Sequence, residues 1–198
     1  MHTINLLPVT LPELAAVAEE LSMVAMDHPV LRQPTRSLSP ETFGSPELDR
    51  VIVSMWRTLD QSDDGVGLAA TQVGLPFQIF LVDSGAGDHF SLCNPFYLGL
   101  PSFEKLDGIE GCLSIPGFWA HVRRPQARTI QGLDPAGVVQ TIHGEDFLAR
   151  ILCHENDHLS GRLYIDVMDP KTFSADDEYA RRNPFYRPNV QPPIRNPR

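Results

Sequence analysis

His154 and His158, in the run HENDH at residues 154–158, are four residues apart, the spacing at which a helix puts both side chains on one face. Two imidazoles one turn apart can grip a single metal ion, and Glu155 on the adjoining face can handle the proton of a water that the ion activates. That combination does metal-dependent hydrolysis. The bland alternative is a solvated helix face on which His158 pairs with Asp157 or with nothing. Upstream residues weigh against it, because Phe147, Ile151, His154 and His158 fall at offsets of 0, 4, 7 and 11 and make one stripe that runs from apolar to ligating. Leu159 and Ser160 complete the last turn, and Gly161 supplies a helix stop.

Two further segments could serve the same site. In EGCLS at 110–114, Cys112 stands between Gly111 and the Pro116–Gly117 pair, so a strand is expected to end irregularly there, with a thiolate able to face a site. A lone cysteine is more often a small buried hydrophobe. With two histidines, however, Cys112 makes a Cys-His-His set that leaves a fourth position for water, the arrangement of a catalytic site. Cys93 and Cys153 are weaker candidates, and Cys153 is rotated by about 100° from its neighbour His154 on a helix. In GVGLAATQVG at 65–74, Gly65 and Gly67 let a backbone run close to a ligand, and Gln72 can donate an amide hydrogen bond to a developing oxyanion. Taken alone, that segment reads equally well as a glycine turn opening a packed stretch, and no lysine follows to make it a phosphate loop.

The elements that must position these residues are legible in outline. Residues 11–26 carry Ala, Leu and Glu at helical spacing and predict a first helix, with Pro12 in its first turn. Residues 28–46, rich in Pro, Ser and Thr, predict an extended connection. A second helix is expected from Pro46 to about Gln61, burying Leu48, Val51, Ile52, Met55, Trp56 and Leu59. Short strands are expected at 77–82, 129–133 and 138–143. Helix, helix, strands and then the metal-binding helix make an α+β fold, in which small, largely antiparallel sheets pack around that central helix. The whole of 1–198 reads as one domain, with a core at about 28–172 and a proline-rich end from 171 that is either a tail or a surface strap.

Composition narrows the setting. A hydrophobic content of 42% with 21% charged residues is ordinary for a soluble globular chain of 198 residues. The net charge of -9 argues against a protein that binds nucleic acid by neutralising phosphates, although Arg123, Arg124 and Arg128 could form a local basic patch. Three cysteines do not suggest a disulfide framework. Neither a signal peptide nor an apolar run near the roughly 20 residues of a membrane span is evident, so a cytoplasmic location is expected.

Taken together, the three segments resemble the peptide deformylase family, whose pattern is GxGxAAxQ, then EGCxS, then HExxH with Asp before the last His. The pattern appears here in that order as Gly65 to Gln72, Glu110 to Ser114 and His154 to His158, and the resemblance extends over about 28–172, including PVLR near its start and GLDP at 132–135. It implies that Cys112, His154 and His158 bind the metal, commonly Fe2+ in this family with Zn2+ or Ni2+ able to substitute. By the same resemblance Glu155 is the acid/base, Gln72 and the Leu113 N–H stabilise the oxyanion, Gly67 contacts substrate backbone, and Glu110 supports the ligands from behind and can pair with Arg124. The implied reaction is removal of the formyl group from the N-terminal formyl-methionine of new peptides.

Crowding at Gly67 and Leu113 would admit a formyl hydrogen and reject an acetyl methyl, and Val66, Phe147 and Ile151 are expected to wall the methionine pocket. Where many bacterial members carry an arginine, seven residues after the ligand cysteine, this chain has Trp119. The family's partner near the nascent-chain exit is the ribosome, but the proline-rich end here differs from the long charged helix that some members use for that contact. Two rivals are a metalloendopeptidase, which takes its third ligand downstream of HExxH, and a structural metal site, which needs four protein ligands.

Overall fold

The computed structural model describes residues 7–62 and 64–175. In chain order the helices are α1 (Leu11–Ala15), α2 (Pro46–Asp60) and α3 (Asp146–Leu159). The strands are β1 (Gly67–Ala69), β2 (Ile79–Asp83), β3 (His89–Tyr97), β4 (Lys105–Cys112), β5 (Ile115–Pro125), β6 (Ala127–Leu133), β7 (Val139–Glu145) and β8 (Ser174–Ala175). They form a five-stranded sheet in the order β1-β2-β3-β6-β7 and a three-stranded sheet in the order β4-β5-β8, and every pairing is antiparallel.

β2 explains how the layers meet. Successive side chains of a strand point to opposite faces, and here both faces are covered. Ile79 and Leu81 join the cluster built on Leu48, Val51 and Met55 of α2, whereas Phe80 and Val82 join Ile151, Leu152 and Leu159 of α3. A strand stretch buried on both sides must be apolar, hence the run IFLV at 79–82. A third cluster, with Val30, Leu31, Ile115, Val122, Leu163 and Tyr164, fills the space beneath the smaller sheet. α3 packs against strands of both sheets. It therefore carries whatever lies on its inner face into the junction between them.

The fold is α+β, with the central helix as expected from the sequence. α2 starts on Ser45, whose hydroxyl accepts from the Leu48 N–H at 3.2 Å. α3 stops as the sequence predicts, with Gly161 at φ 72 and no room for a side chain, since a Cβ there would lie 2.9 Å from Arg32 C.

The first helix is much shorter than the predicted 11–26. α1 ends at Ala15 because α2 takes over the carbonyls a longer helix would use: Arg50 donates to Leu14 O and Ala15 O, Ser54 to Glu19 O and Thr58 to Leu21 O. The 28–46 connection is extended only in part, being broken by single 3-10 turns at Pro29–Arg32 and Pro40–Thr42. Trp56 packs against the α2 cluster as expected but is only partly buried, with its ring stacked on His89 at a centroid separation of 4.0 Å. Of the proline-rich end, Pro170–Thr172 forms a turn and β8 pairs with β5; residues 176–198 lie outside the described part.

β3 and β5 are absent from the sequence prediction, and of β4 only its irregular end at Cys112 is expected. β3 is interrupted by Asn94 at φ 49 and by a register shift between Cys93 and Phe96. β4 carries Asp107, Gly108, Glu110 and Gly111, residue types depleted in strands. Its pairing with β5, not its own propensity, makes it a strand.

Candidate active site

β4 and β5 are in register until Gly111, and the register then shifts at Cys112, the last residue of β4. This break turns the Cys112 thiol toward α3. Its Sγ lies 3.4 Å from His158 Nε2, and one ligand atom each from Cys112, His154 and His158 all fall within 4.8 Å of one another. The rings of His154 and His158 are 5.1 Å apart at an interplanar angle of 71°, as one helical turn allows. Instead of pairing with His158, Asp157 turns away and accepts from Arg124 Nη1 at 2.6 Å.

Glu110 fixes the first imidazole. It is buried in β4 and shares its carboxylate among His154 Nδ1 (3.0 Å), Arg124 (2.8 and 2.9 Å) and Arg150 Nη1 (2.9 Å). Burial pushes this carboxyl up, but the His154 and Arg124 hydrogen bonds outweigh it and hold the pKa at about 2. With Nδ1 engaged, His154 offers Nε2 to the cluster, as a metal-binding histidine does when its other nitrogen is held by a carboxylate.

Glu155 has the opposite environment. Burial raises its pKa to about 7, the Glu110 charge adds to this, and the His154 charge partly offsets it. Its Oε2 is buried without a protein partner. The side chain lies along β1, where a Cβ on Gly67 would come within 2.4 Å of Glu155 Oε1. A side chain at position 67 would therefore have to displace the Glu155 carboxylate. Gln72 follows in the 3-10 turn Ala70–Val73; its Oε1 accepts from the Ala69 N–H at 2.8 Å, which leaves Nε2 aimed at Cys112 Sγ, 3.4 Å away.

These groups line an open cleft of about 210 Å³ that also includes Val66, Leu113, Trp119, Phe147 and Ile151. Every site residue expected from the sequence is at this cleft or in the ligand cluster beside it. Phe147, the apolar start of the stripe and an expected pocket wall, lines the cleft while half exposed. Arg150 was missed. A charged residue within the apolar run before His154 was the available signal.

The donor chemistry fits a divalent cation. A thiol and two imidazoles suit a borderline ion such as ferrous iron or zinc. Burial, then the neighbouring His154, pushes the His158 pKa well down, so this ring is in the neutral form that ligates. For His154 burial also acts downward, but Cys112 and Glu110 more than offset it and draw positive charge to the ring. A cation there would meet that demand.

Comparison with known proteins agrees with this geometry. The polypeptide deformylase family model matches residues 21–174. A peptide deformylase of Caldanaerobacter subterraneus subsp. tengcongensis is 43% identical over 138 residues, covering 70% of this chain and 82% of the relative. The chloroplastic peptide deformylase 1A of Solanum lycopersicum is 34% identical over 169 residues, covering 76% of this chain and 60% of the relative. Among solved structures, a class I type b peptide deformylase from Acinetobacter baumannii superposes with a TM-score of 0.72 at 28% identity, covering 75% of this chain and 99% of that one. The actinonin complex of the Synechococcus elongatus enzyme gives 0.70 at 32% identity, with 78% and 87% covered. From the ordered motifs, the cleft and these matches together, the chain belongs to the polypeptide deformylase family.

Proposed function

We propose that this chain, acting as one catalytic domain, hydrolyses the N-terminal formamide of formyl-methionyl peptides, releasing formate and a free amine. Cys112, His154 and His158 would hold one divalent ion, Fe2+ by family resemblance with Zn2+ or Ni2+ able to replace it. When bound, such an ion supplies Lewis acidity, lowering the pKa of water from 15.7 toward ~7 and polarising a carbonyl. The observation that carries the reading is the convergence of the three ligand atoms within 4.8 Å beside the unpartnered carboxylate oxygen of Glu155.

Glu155 takes the proton of the attacking water on its carboxylate, and a pKa raised to about 7 suits a group that must both accept and return a proton near neutrality. It then passes that proton to the departing amine nitrogen. The Gln72 amide, pinned by Ala69, and the Leu113 N–H donate to the formyl oxygen as it becomes an anion. Gly67 admits the peptide backbone close to Glu155, and with Leu113 leaves space for a hydrogen but not a methyl on the reacting carbon. Val66, Phe147 and Ile151 receive the methionine side chain.

No helix of the described residues is long and apolar enough to cross a membrane. By family resemblance the chain would meet nascent peptides in the cytoplasm, with the ribosome near the nascent-chain exit as a further partner and no specificity for nucleic acid.

Formate release from formyl-Met-Ala-Ser by the full chain, loaded anaerobically with Fe2+, tests the reading. Glu155→Gln is expected to keep the metal and lose at least about a hundredfold in kcat. Cleavage of internal peptide bonds with the formyl group left in place would instead favour a metalloendopeptidase.

A further inference from the structure

Arg150 is a largely buried cation that the reaction outlined above does not use. Its side chain is 11% exposed and lines the cleft beside Phe147 and Ile151. Nη1 donates to Val122 O (2.8 Å), Glu110 Oε1 (2.9 Å) and Gly108 O (3.3 Å), and Nη2 donates to Leu106 O (3.0 Å). Three of the four acceptors are main-chain carbonyls held in place by β4 and β5. A long side chain on a helix is ordinarily a yielding wall, but this one is tied at four points. Gly108 makes its seat, since a Cβ there would lie 2.6 Å from Nη2 and 2.8 Å from Cζ of Arg150.

We infer that Arg150, seated on Gly108, is a specificity-determining residue that closes the methionine pocket where α3 meets β4 and so limits the length of the first side chain of the peptide. The inference rests on the reading of the cleft proposed above. Nη1 and Nη2 of the guanidinium are committed to carbonyls and to Glu110, so a longer side chain cannot push it aside without stranding a buried charge. Its aliphatic stem continues the apolar wall begun by Phe147 and Ile151. Methionine's unbranched side chain ends at that barrier. Because Glu110 also holds His154, displacing Arg150 disturbs a ligand as well, and an overlong side chain loses turnover along with binding.

The test compares formyl-Met-Ala-Ser with a formyl peptide whose first residue is 2-aminooctanoic acid, using the Fe2+-loaded full chain. The natural protein should favour methionine at least about tenfold in kcat/KM, as methylene-scale discrimination in a tight pocket allows. Arg150→Ala should lower that ratio by roughly fivefold or more even as its absolute rates fall, because the barrier is gone. Arg150→Gln, shorter but still able to donate to the carbonyls, should give an intermediate ratio, and it decides the matter if the alanine variant does not fold. Calorimetric binding of the two deformylated products should change in the same direction. Ratios within twofold of the natural protein in the folded variants would overturn the inference, as would a natural protein that hydrolyses both peptides equally. Failure of the natural protein to release formate from either peptide would instead defeat the proposed function.

Discussion

Glu110 shows how far one side chain can reach in this protein. It binds His154, Arg124 and Arg150 at once from a buried position, so its removal strands two guanidinium groups in the interior and frees an imidazole. Glu110→Ala should destabilise the fold by about 3–5 kcal/mol in urea unfolding, the cost of leaving buried charge uncompensated. Metal titration of the same variant should show roughly 10–100-fold weaker affinity, because His154 loses the partner that orients it. Glu110→Gln, which keeps the shape but not the charge, should fall between. Unchanged affinity in both variants would remove Glu110 from any part in holding the ligands. At this scale the sequence was most legible. Cys112, His154, His158, Glu155 and Gln72 could each be named because their chemistry is unusual for their positions. Arg150 offered only the weak signal of a charge in an apolar run, because its importance depends on Gly108 and three carbonyls that only pairing of β4 with β5 brings within its reach.

Among the elements, α3 was readable to within a residue at its C-terminal end, since an amphipathic stripe and a glycine stop are both local signals. α1 was not, because its length is set by Arg50, Ser54 and Thr58, which lie some 35 residues further along and compete for its carbonyls. What secures the short helix instead is Glu13, which accepts from the Thr10 N–H and hydroxyl at 3.0 Å each and from Arg36 at 2.8 Å. The Thr10 N–H first, and then Arg36, hold the Glu13 carboxyl below its ordinary pKa. A carboxylate with a lowered folded pKa contributes stability that is complete above its unfolded value and is lost as pH falls through the folded one. The protection factors of the Leu14 and Val9 backbone amides, which correct for the intrinsic pH dependence of exchange, should therefore fall as the solution is acidified below the usual carboxylate range. In Glu13→Gln the same amides should exchange faster at pH 7 already and show no such acid step. Equal protection in the two proteins at pH 7 would mean that Glu13 does not hold this end of the chain.

For the whole molecule, three hydrophobic clusters stand behind the two sheets, complete in themselves, and of the three ligands only Cys112 packs against one of them, at its edge. Chelation should consequently abolish formate release while leaving the far-ultraviolet circular dichroism nearly unchanged. Ion returned at about 100 times its Kd should add ~2.7 kcal/mol, seen as a rise of roughly 5–10 °C in Tm for a chain of this size. Collapse of the spectrum on chelation would show that the ion builds the fold rather than occupying it. Sheet order was hidden from a one-dimensional reading because it arises from partners far apart in the chain, whereas the irregular end of β4 at Cys112 was signalled locally by Gly111 and the Pro116–Gly117 pair. The same distribution limits what can be transplanted. The HENDH pentapeptide depends on a carboxylate from β4, an arginine from β5 and a second arginine one turn earlier on its own helix. An engineer who grafts it onto a foreign helix without the hairpin that braces it should obtain two loose histidines and no enzyme.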